Sequence, residues 1–193
     1  MPDAAPEGPP YSGTSARLWR YAVHASVRVT LPTMTRHLLT FEDNGRAHGD
    51  LLLHLEGFER RCDSYYFALD GGVLPGREDA EKVRQVLRQL LRGWRAAVVA
   101  LKSGEVALLP YEFDDECSGW LRVSIGDDDT VEVLPVWSRL EGWAFYPSSF
   151  EESLDRIGPT TPVWSDLPPQ LMTRGQILAS IDSSIAGASP SQG

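Results

Sequence analysis

Apolar and polar residues alternate strictly over positions 19–31, the first patterned stretch of the chain. Such alternation places one side of an extended strand on a core and the other side in solvent. The pattern therefore predicts a strand over 19–31 that ends at Pro32. Shorter patterned stretches predict further strands over 38–42, 50–58 and 63–70.

The apolar period changes to that of a helix after residue 77. Apolar residues spaced three and four apart form one stripe along this stretch: Val83, Val86, Leu87, Leu90, Leu91 and Trp94. This spacing predicts an amphipathic helix over 78–92, with Gly93 as its C-terminal cap.

Two hairpins are predicted after this helix. Short turn sequences separate 97–101 from 106–111, and 120–125 from 130–136. Apolar stretches of this length on either side of a short polar turn are typical of paired antiparallel strands.

Two helices are predicted at the C-terminal end. Ser148 and Glu151 have the spacing of a capping box, and a second helical pattern covers 168–186. Strands that follow one another through short turns, with helices grouped after them, predict an α+β fold. We expect mainly antiparallel sheets of about eight strands, with one central amphipathic helix and two C-terminal helices.

Length and composition predict one domain with two tails. The chain has 193 residues, of which 42% are hydrophobic, and six are tryptophan. These values are typical of a folded globule. Residues 1–16 are rich in Pro, Ala, Gly and Ser, so we expect a disordered N-terminal tail, a single domain over 17–186 and a second disordered tail over 187–193.

Charge is distributed unevenly along the chain. The formal net charge is −9, yet residues 104–166 alone have 3 Arg against 14 Asp or Glu, a balance of −11. A surface of that sign repels nucleic acid and anionic membranes and attracts a basic protein. The candidate partner-binding residues are the carboxylates and tryptophans of this stretch: Glu112, Asp114, Asp115, Glu116, Asp127, Asp128, Asp129, Trp137 and Trp143.

The function that this pattern favours is protein binding. No glycine-rich phosphate loop, nucleophile elbow or His-Glu-x-x-His helix is present, so no catalytic residue and no cofactor are predicted. The N-terminus has no signal-peptide pattern, and no apolar run approaches the length of a membrane helix of about 20 residues. We therefore expect a small acidic cytoplasmic module that binds a basic protein, in a toxin-neutralising, immunity-like or adaptor role.

Two alternatives remain open from the sequence. One is a metal-dependent hydrolase, since His48, Asp50, His54 and Glu56 share parity on one predicted strand. The other is a structural subunit that forms a homo-oligomer through a sheet edge or the last helix. The sequence also leaves open whether the two cysteines, Cys62 and Cys117, pair with each other.

Overall fold

The computed structural model describes residues 37–46, 48–164 and 168–189. The predicted strand over 19–31 and the predicted tail over 1–16 lie outside the described residues. Within the described part, the chain has an α+β fold with eight strands in two antiparallel sheets, as the sequence predicted.

The N-terminal sheet contains β1 (Leu39–Phe41), β2 (Leu51–Leu55) and β3 (Phe58–Cys62) in that order. Residues 50–58 do not form the single strand that was predicted. Gly57 has a φ of +71° and turns the chain between β2 and β3, so that Leu55 pairs with Phe58. Glycine adopts this left-handed conformation without steric cost, which is why the turn occurs there.

Residues 63–70 form a helix, α1 (Tyr65–Leu69), and the prediction of a strand there is wrong. Its buried residues, Phe67 and Ala68, are adjacent in sequence, whereas a strand would bury every second residue. The buried carboxylate of Asp50 accepts hydrogen bonds from the backbone N–H and the hydroxyl of Ser64 at 2.9 and 2.7 Å. These bonds fix the chain just before α1 begins.

The central helix, α2, spans Ala80–Ala100. All six residues of the predicted apolar stripe are buried, and Val98 extends the stripe by one more turn. Gly93 lies inside the helix and does not end it. A Cβ atom at Gly93 would lie 2.7 Å from Cε1 of Phe150, so the glycine allows a neighbouring segment to approach closely. The prediction of a strand over 97–101 is wrong, since residues 97–100 form the last turn of α2 and Leu101 is its C-terminal cap.

The C-terminal sheet is built on three long strands, β4 (Val106–Phe113), β5 (Ser118–Ile125) and β6 (Thr130–Ser138). The predicted hairpin over 120–136 is confirmed, with Trp120 opposite Val136 and Ile125 opposite Val131. Two short strands, β7 (Thr161–Pro162) and β8 (Gln170–Thr173), pair with β6.

The segments after β6 differ in part from the predicted helices. Gly142–Ala144 and Pro147–Arg156 are 3-10 helices, and the capping box predicted at Ser148 is absent, because the Ser148 hydroxyl donates to Asp70 at 2.9 Å instead. The last helix, α3, spans Arg174–Gly187 and begins after β8. α2 contacts α1, α3 and the longer 3-10 helix, so it lies at the centre of the core.

Candidate protein-binding surface

The predicted acidic residues form two separate clusters. Residues 114–116 precede β5 and residues 127–129 follow it. Because β5 has eight residues, the two loops lie at opposite ends of a strand that spans about 23 Å at roughly 3.3 Å per residue. The acidic stretch therefore does not form one continuous patch.

The cluster at residues 127–129 is a turn held by bonds within the chain. Asp129 forms an ion pair with Arg174 at 2.7 Å, and Asp127 accepts a hydrogen bond from the hydroxyl of Ser103. Hydrogen bonds from Thr130 lower the pKa of Asp128. These carboxylates have local structural roles.

Glu112 belongs to β4 and is almost fully buried. Arg60 of β3 donates two hydrogen bonds to it, from Nε at 3.0 Å and from Nη2 at 2.8 Å. Burial raises the pKa of the Glu112 carboxyl, and the bonds from Arg60 offset part of that rise. The guanidinium of Arg60 also lies 5.5 Å from the ring centroid of Trp137. Glu112 and Trp137 thus take part in an internal contact.

Residues 114–116 are exposed, and they lack a cationic partner within the described part of the chain. The loop is a tight turn, since Asp114 N–H donates to the Cys117 carbonyl at 3.0 Å and Asp114 Oδ1 accepts from Glu116 N–H at 3.2 Å. Asp115 accepts a hydrogen bond from the hydroxyl of Tyr66 in α1. The loop is therefore fixed in place while its charges face solvent.

Exposed aromatic and apolar side chains adjoin this loop. α1 presents Tyr65 and Leu69, one helical turn apart, on its exposed side. On the other side of the loop, Gly142 N–H donates to the Asp114 carbonyl at 2.6 Å, and the next residue, Trp143, is 62% exposed.

Tyr146 extends the same region towards the end of α1. It is exposed, and its hydroxyl would lie 3.3 Å from a Cβ atom at Gly71, just beyond α1. We define the acidic–aromatic surface as a group of residues from α1, the β4–β5 loop and residues 143–146, segments that are linked by the contacts given above. Its members are Tyr65, Tyr66, Leu69, Asp114, Asp115, Glu116, Trp143 and Tyr146.

A buried aromatic cluster supports this surface from below. Phe113 contacts Phe67 and Phe145, with ring centroids 5.4 and 5.0 Å apart, and Phe145 stacks on Trp120 at 5.5 Å. These rings come from α1, β4, β5 and the segment before Tyr146. The elements that display the surface are therefore fixed relative to one another before any partner binds.

Three of the four arginines of α2 form ion pairs away from the acidic–aromatic surface. Arg84, Arg88 and Arg95 form ion pairs with acidic residues outside 104–166, namely Asp43, Glu81 and Asp182 respectively. The described cation nearest to Trp143 along the chain is the exposed Arg139, and Arg156 donates from its guanidinium to the Ala144 carbonyl at 2.8 Å.

The four residues of the metal-site alternative are not brought together. The carboxylate of Asp50 is bound to Ser64, His48 Nδ1 lies 2.8 Å from Asp63, and His54 Nδ1 lies 3.5 Å from Glu59. Over residues 37–46, 48–164 and 168–189, no group of three or more His, Cys, Asp or Glu side chains is placed to hold a metal ion.

The two cysteines are separate thiols, so the question left open by the sequence is answered for this structure. Cys62 is buried in β3 and Cys117 is half-buried. Burial raises the pKa of both thiols, which keeps them in the less reactive protonated form.

The binding residues predicted from the sequence did not include Tyr65, Tyr66, Leu69 and Tyr146. The first three were assigned to a strand over 63–70, which hid the fact that Tyr65 and Leu69 share one side of a helix. Two features of the sequence could have predicted this helix. Tyr65 and Leu69 are four residues apart, which is a helical spacing, and they follow Ser64, a residue type that often begins helices.

Comparisons of the chain with protein-family models, with curated proteins and with solved structures found no match. Among the described helices, none combines the length and the apolar character needed to cross a membrane.

Proposed function

We propose that this protein is a binding module whose acidic–aromatic surface engages a basic protein. The observation that carries the proposal is the hydrogen bond from Gly142 N–H to the Asp114 carbonyl, which joins an exposed acidic loop to the segment that contains the exposed indole of Trp143. Exposed apolar patches with a polar rim mark interaction sites, and tryptophan is a frequent hot-spot residue.

The mechanism is occlusion of the partner's basic site. Asp114 and Glu116 attract the partner and accelerate association, and Trp143 with Tyr65 and Leu69 provides apolar contact area once the two surfaces meet. Such a module has a toxin-neutralising, immunity-like or adaptor role. We place it in the cytoplasm, where its two thiols stay reduced.

The test uses two variants with the same charge change at opposite ends of β5. Asp114→Asn with Glu116→Gln removes two charges from the surface, and Asp127→Asn with Asp128→Asn removes two from the distant turn. Each replacement keeps a side-chain hydrogen-bond acceptor, so the bonds within both loops are conserved. A third variant, Trp143→Ala, removes the indole.

The wild-type chain and the three variants are used to capture proteins from host lysate at low and at moderate salt. We expect one basic protein to be retained by the wild type and by the variant of the distant turn. Neutralising residues 114 and 116 should slow its association about tenfold at low salt. Trp143→Ala should weaken binding at least about thirtyfold, as for a hot-spot residue worth about 2 kcal/mol. A captured protein that all four chains hold equally would contradict the proposal.

A further inference from the structure

The chain contains an internal example of arginine bound between an indole and a carboxylate. Arg60 lies over the Trp137 ring and donates two hydrogen bonds to Glu112. Glu112 pairs with Gly119 across β4 and β5, and Gly119 pairs with Trp137 across β5 and β6. The carboxylate, the glycine and the indole therefore form one row across three strands, and Arg60 binds at that row.

The acidic–aromatic surface has the same two partner groups just beyond this row. The next row contains Phe113, Ser118 and Ser138, after which the chain enters the loop of residues 114–116 on one side and the segment leading to Trp143 on the other. The Gly142–Asp114 hydrogen bond joins these two segments. In the described part of the chain, Arg60 lies over Trp137 and Arg84 lies over Phe41, and neither guanidinium lies over Trp143.

We infer that the basic partner supplies an arginine whose guanidinium stacks on Trp143 and pairs with a carboxylate of residues 114–116. This inference rests on the proposed function and specifies the chemistry that the surface recognises. A guanidinium is planar, weakly hydrated and able to donate several hydrogen bonds in its plane, so it can contact an indole face and a carboxylate together. A lysine ammonium is a compact, strongly hydrated charge and lacks the planar stacking surface. Arg60, with Trp137 and Glu112, is an example of this arrangement in the neighbouring row of the same sheet.

The probes are three hexapeptides that alternate glycine with arginine, with lysine or with citrulline. Citrulline has nearly the shape of arginine without its charge. The readout is the indole N–H resonance of Trp143 in the full chain, identified with Trp143→Phe. Trp164 is the internal control, because it is similarly exposed at 52% and packs against Phe58 away from the loop.

We expect the arginine peptide to shift the Trp143 resonance and to leave that of Trp164 unchanged. The lysine peptide should bind roughly fivefold more weakly, and the citrulline peptide should cause no shift. The variant with Asp114→Asn and Glu116→Gln should weaken binding of the arginine peptide severalfold, whereas Asp127→Asn with Asp128→Asn should not.

Two results would overturn the inference. If lysine and arginine peptides bind equally at Trp143, the surface recognises positive charge alone, and the proposed function stands without the preference for arginine. If the arginine peptide leaves the Trp143 resonance unchanged at low salt, this residue does not bind arginine. The lysate capture, which does not depend on these peptides, then decides the proposed function separately.

Discussion

Tyr66 is the residue that ties the acidic loop to α1. Its hydroxyl donates a hydrogen bond to the carboxylate of Asp115. This bond, with a smaller contribution from burial, raises the pKa of Tyr66 to about 12. Ionisation of the phenol would remove the donor and place two negative charges side by side. The bond is consequently at full strength below about pH 10, the pKa of a free tyrosine, and is lost as the pH rises through about 12.

Replacing Asp115 by Asn should lower the pKa of Tyr66 towards the ordinary value of about 10. The amide keeps the size of the carboxylate and removes the charge that opposes ionisation of the phenol. The measurement is the pH dependence of the chemical shift of Tyr66 Cζ, followed by NMR in protein that contains ¹³C-labelled tyrosine. Tyr66→Phe identifies the resonance. An unchanged titration in Asp115→Asn would show that the two side chains do not form this bond in solution.

Glu112 and Asp114 are two positions apart in sequence and have different roles, which local sequence could not reveal. Both belong to the same acidic run and received the same prediction. Glu112 is buried because Arg60, 52 residues earlier, reaches it from β3, whereas the Asp114 carboxylate remains in solvent. The acidic loop was therefore found from the sequence, but the distinction within it depends on a long-range contact.

At the scale of elements, the periodicity of apolar residues correctly predicted those elements whose structure depends on local interactions. The β5–β6 hairpin and the apolar stripe of α2 were both identified, since alternation and helical spacing directly specify which side faces the core. One error occurs where a glycine has a tertiary role. Gly93 was interpreted as a helix cap, but its missing side chain makes room for Phe150, a contact that only the fold brings about.

Gly142 has a similar tertiary role at the candidate site. A Cβ atom there would lie 2.5 Å from the backbone nitrogen of Asp114 and 2.7 Å from the carbonyl carbon of Phe113. Backbone atoms cannot move aside as a flexible side chain can, so the 3-10 helix Gly142–Ala144 would have to separate from the β4–β5 loop. Gly142 thus sets the position of Trp143 relative to the carboxylates.

Gly142→Ala should destabilise the fold by about 1–3 kcal/mol through this overpacking. It should also weaken binding of the partner at temperatures where the variant is fully folded. Urea denaturation gives the first quantity and surface-based binding kinetics the second. The matched control is Gly158→Ala, where a Cβ atom would meet nothing within 4 Å and the change should be at most about 1 kcal/mol. Equal stability of the two variants would show that the loop and the 3-10 helix are not in contact.

For the described part of the molecule, the separation of the two acidic clusters changes what charge can do. About 23 Å along β5 exceeds the screening length of about 8 Å at physiological salt, so the clusters act on a partner independently. From the sequence alone, residues 104–166 have a single charge balance of −11, and this charge could not be divided between sites because strand direction and register decide which loops lie together. The carboxylates of residues 127–129 are bonded within the chain, and those of residues 114–116 lack a cationic partner among the described residues.

Arg174 holds the acidic turn of residues 127–129 in place, because its side chain joins three elements at that end of the sheet. From the first position of α3, its Nε bonds Asp129 in the β5–β6 turn at 2.7 Å, and its Nη1 donates to the Leu101 carbonyl at the end of α2 at 2.9 Å. A cation at the C-terminal end of a helix also interacts favourably with the helix dipole. The turn, α2 and α3 are thereby connected through one side chain that is only 25% exposed.

Arg174→Met should therefore lower the free energy of unfolding by about 2 kcal/mol, the range for a charged hydrogen-bonding group that leaves its partners unpaired. Arg95→Met is the matched control, since Arg95 also pairs with a carboxylate, Asp182, at 2.8 Å, but is 47% exposed and joins only α2 to α3. Exposed pairs of that kind contribute about 0–1 kcal/mol. Urea unfolding of both variants, fitted with a common slope, measures the difference. If the two substitutions cost the same, the carbonyl contacts of Arg174 add nothing, and the far acidic turn is held by its exposed ion pair alone.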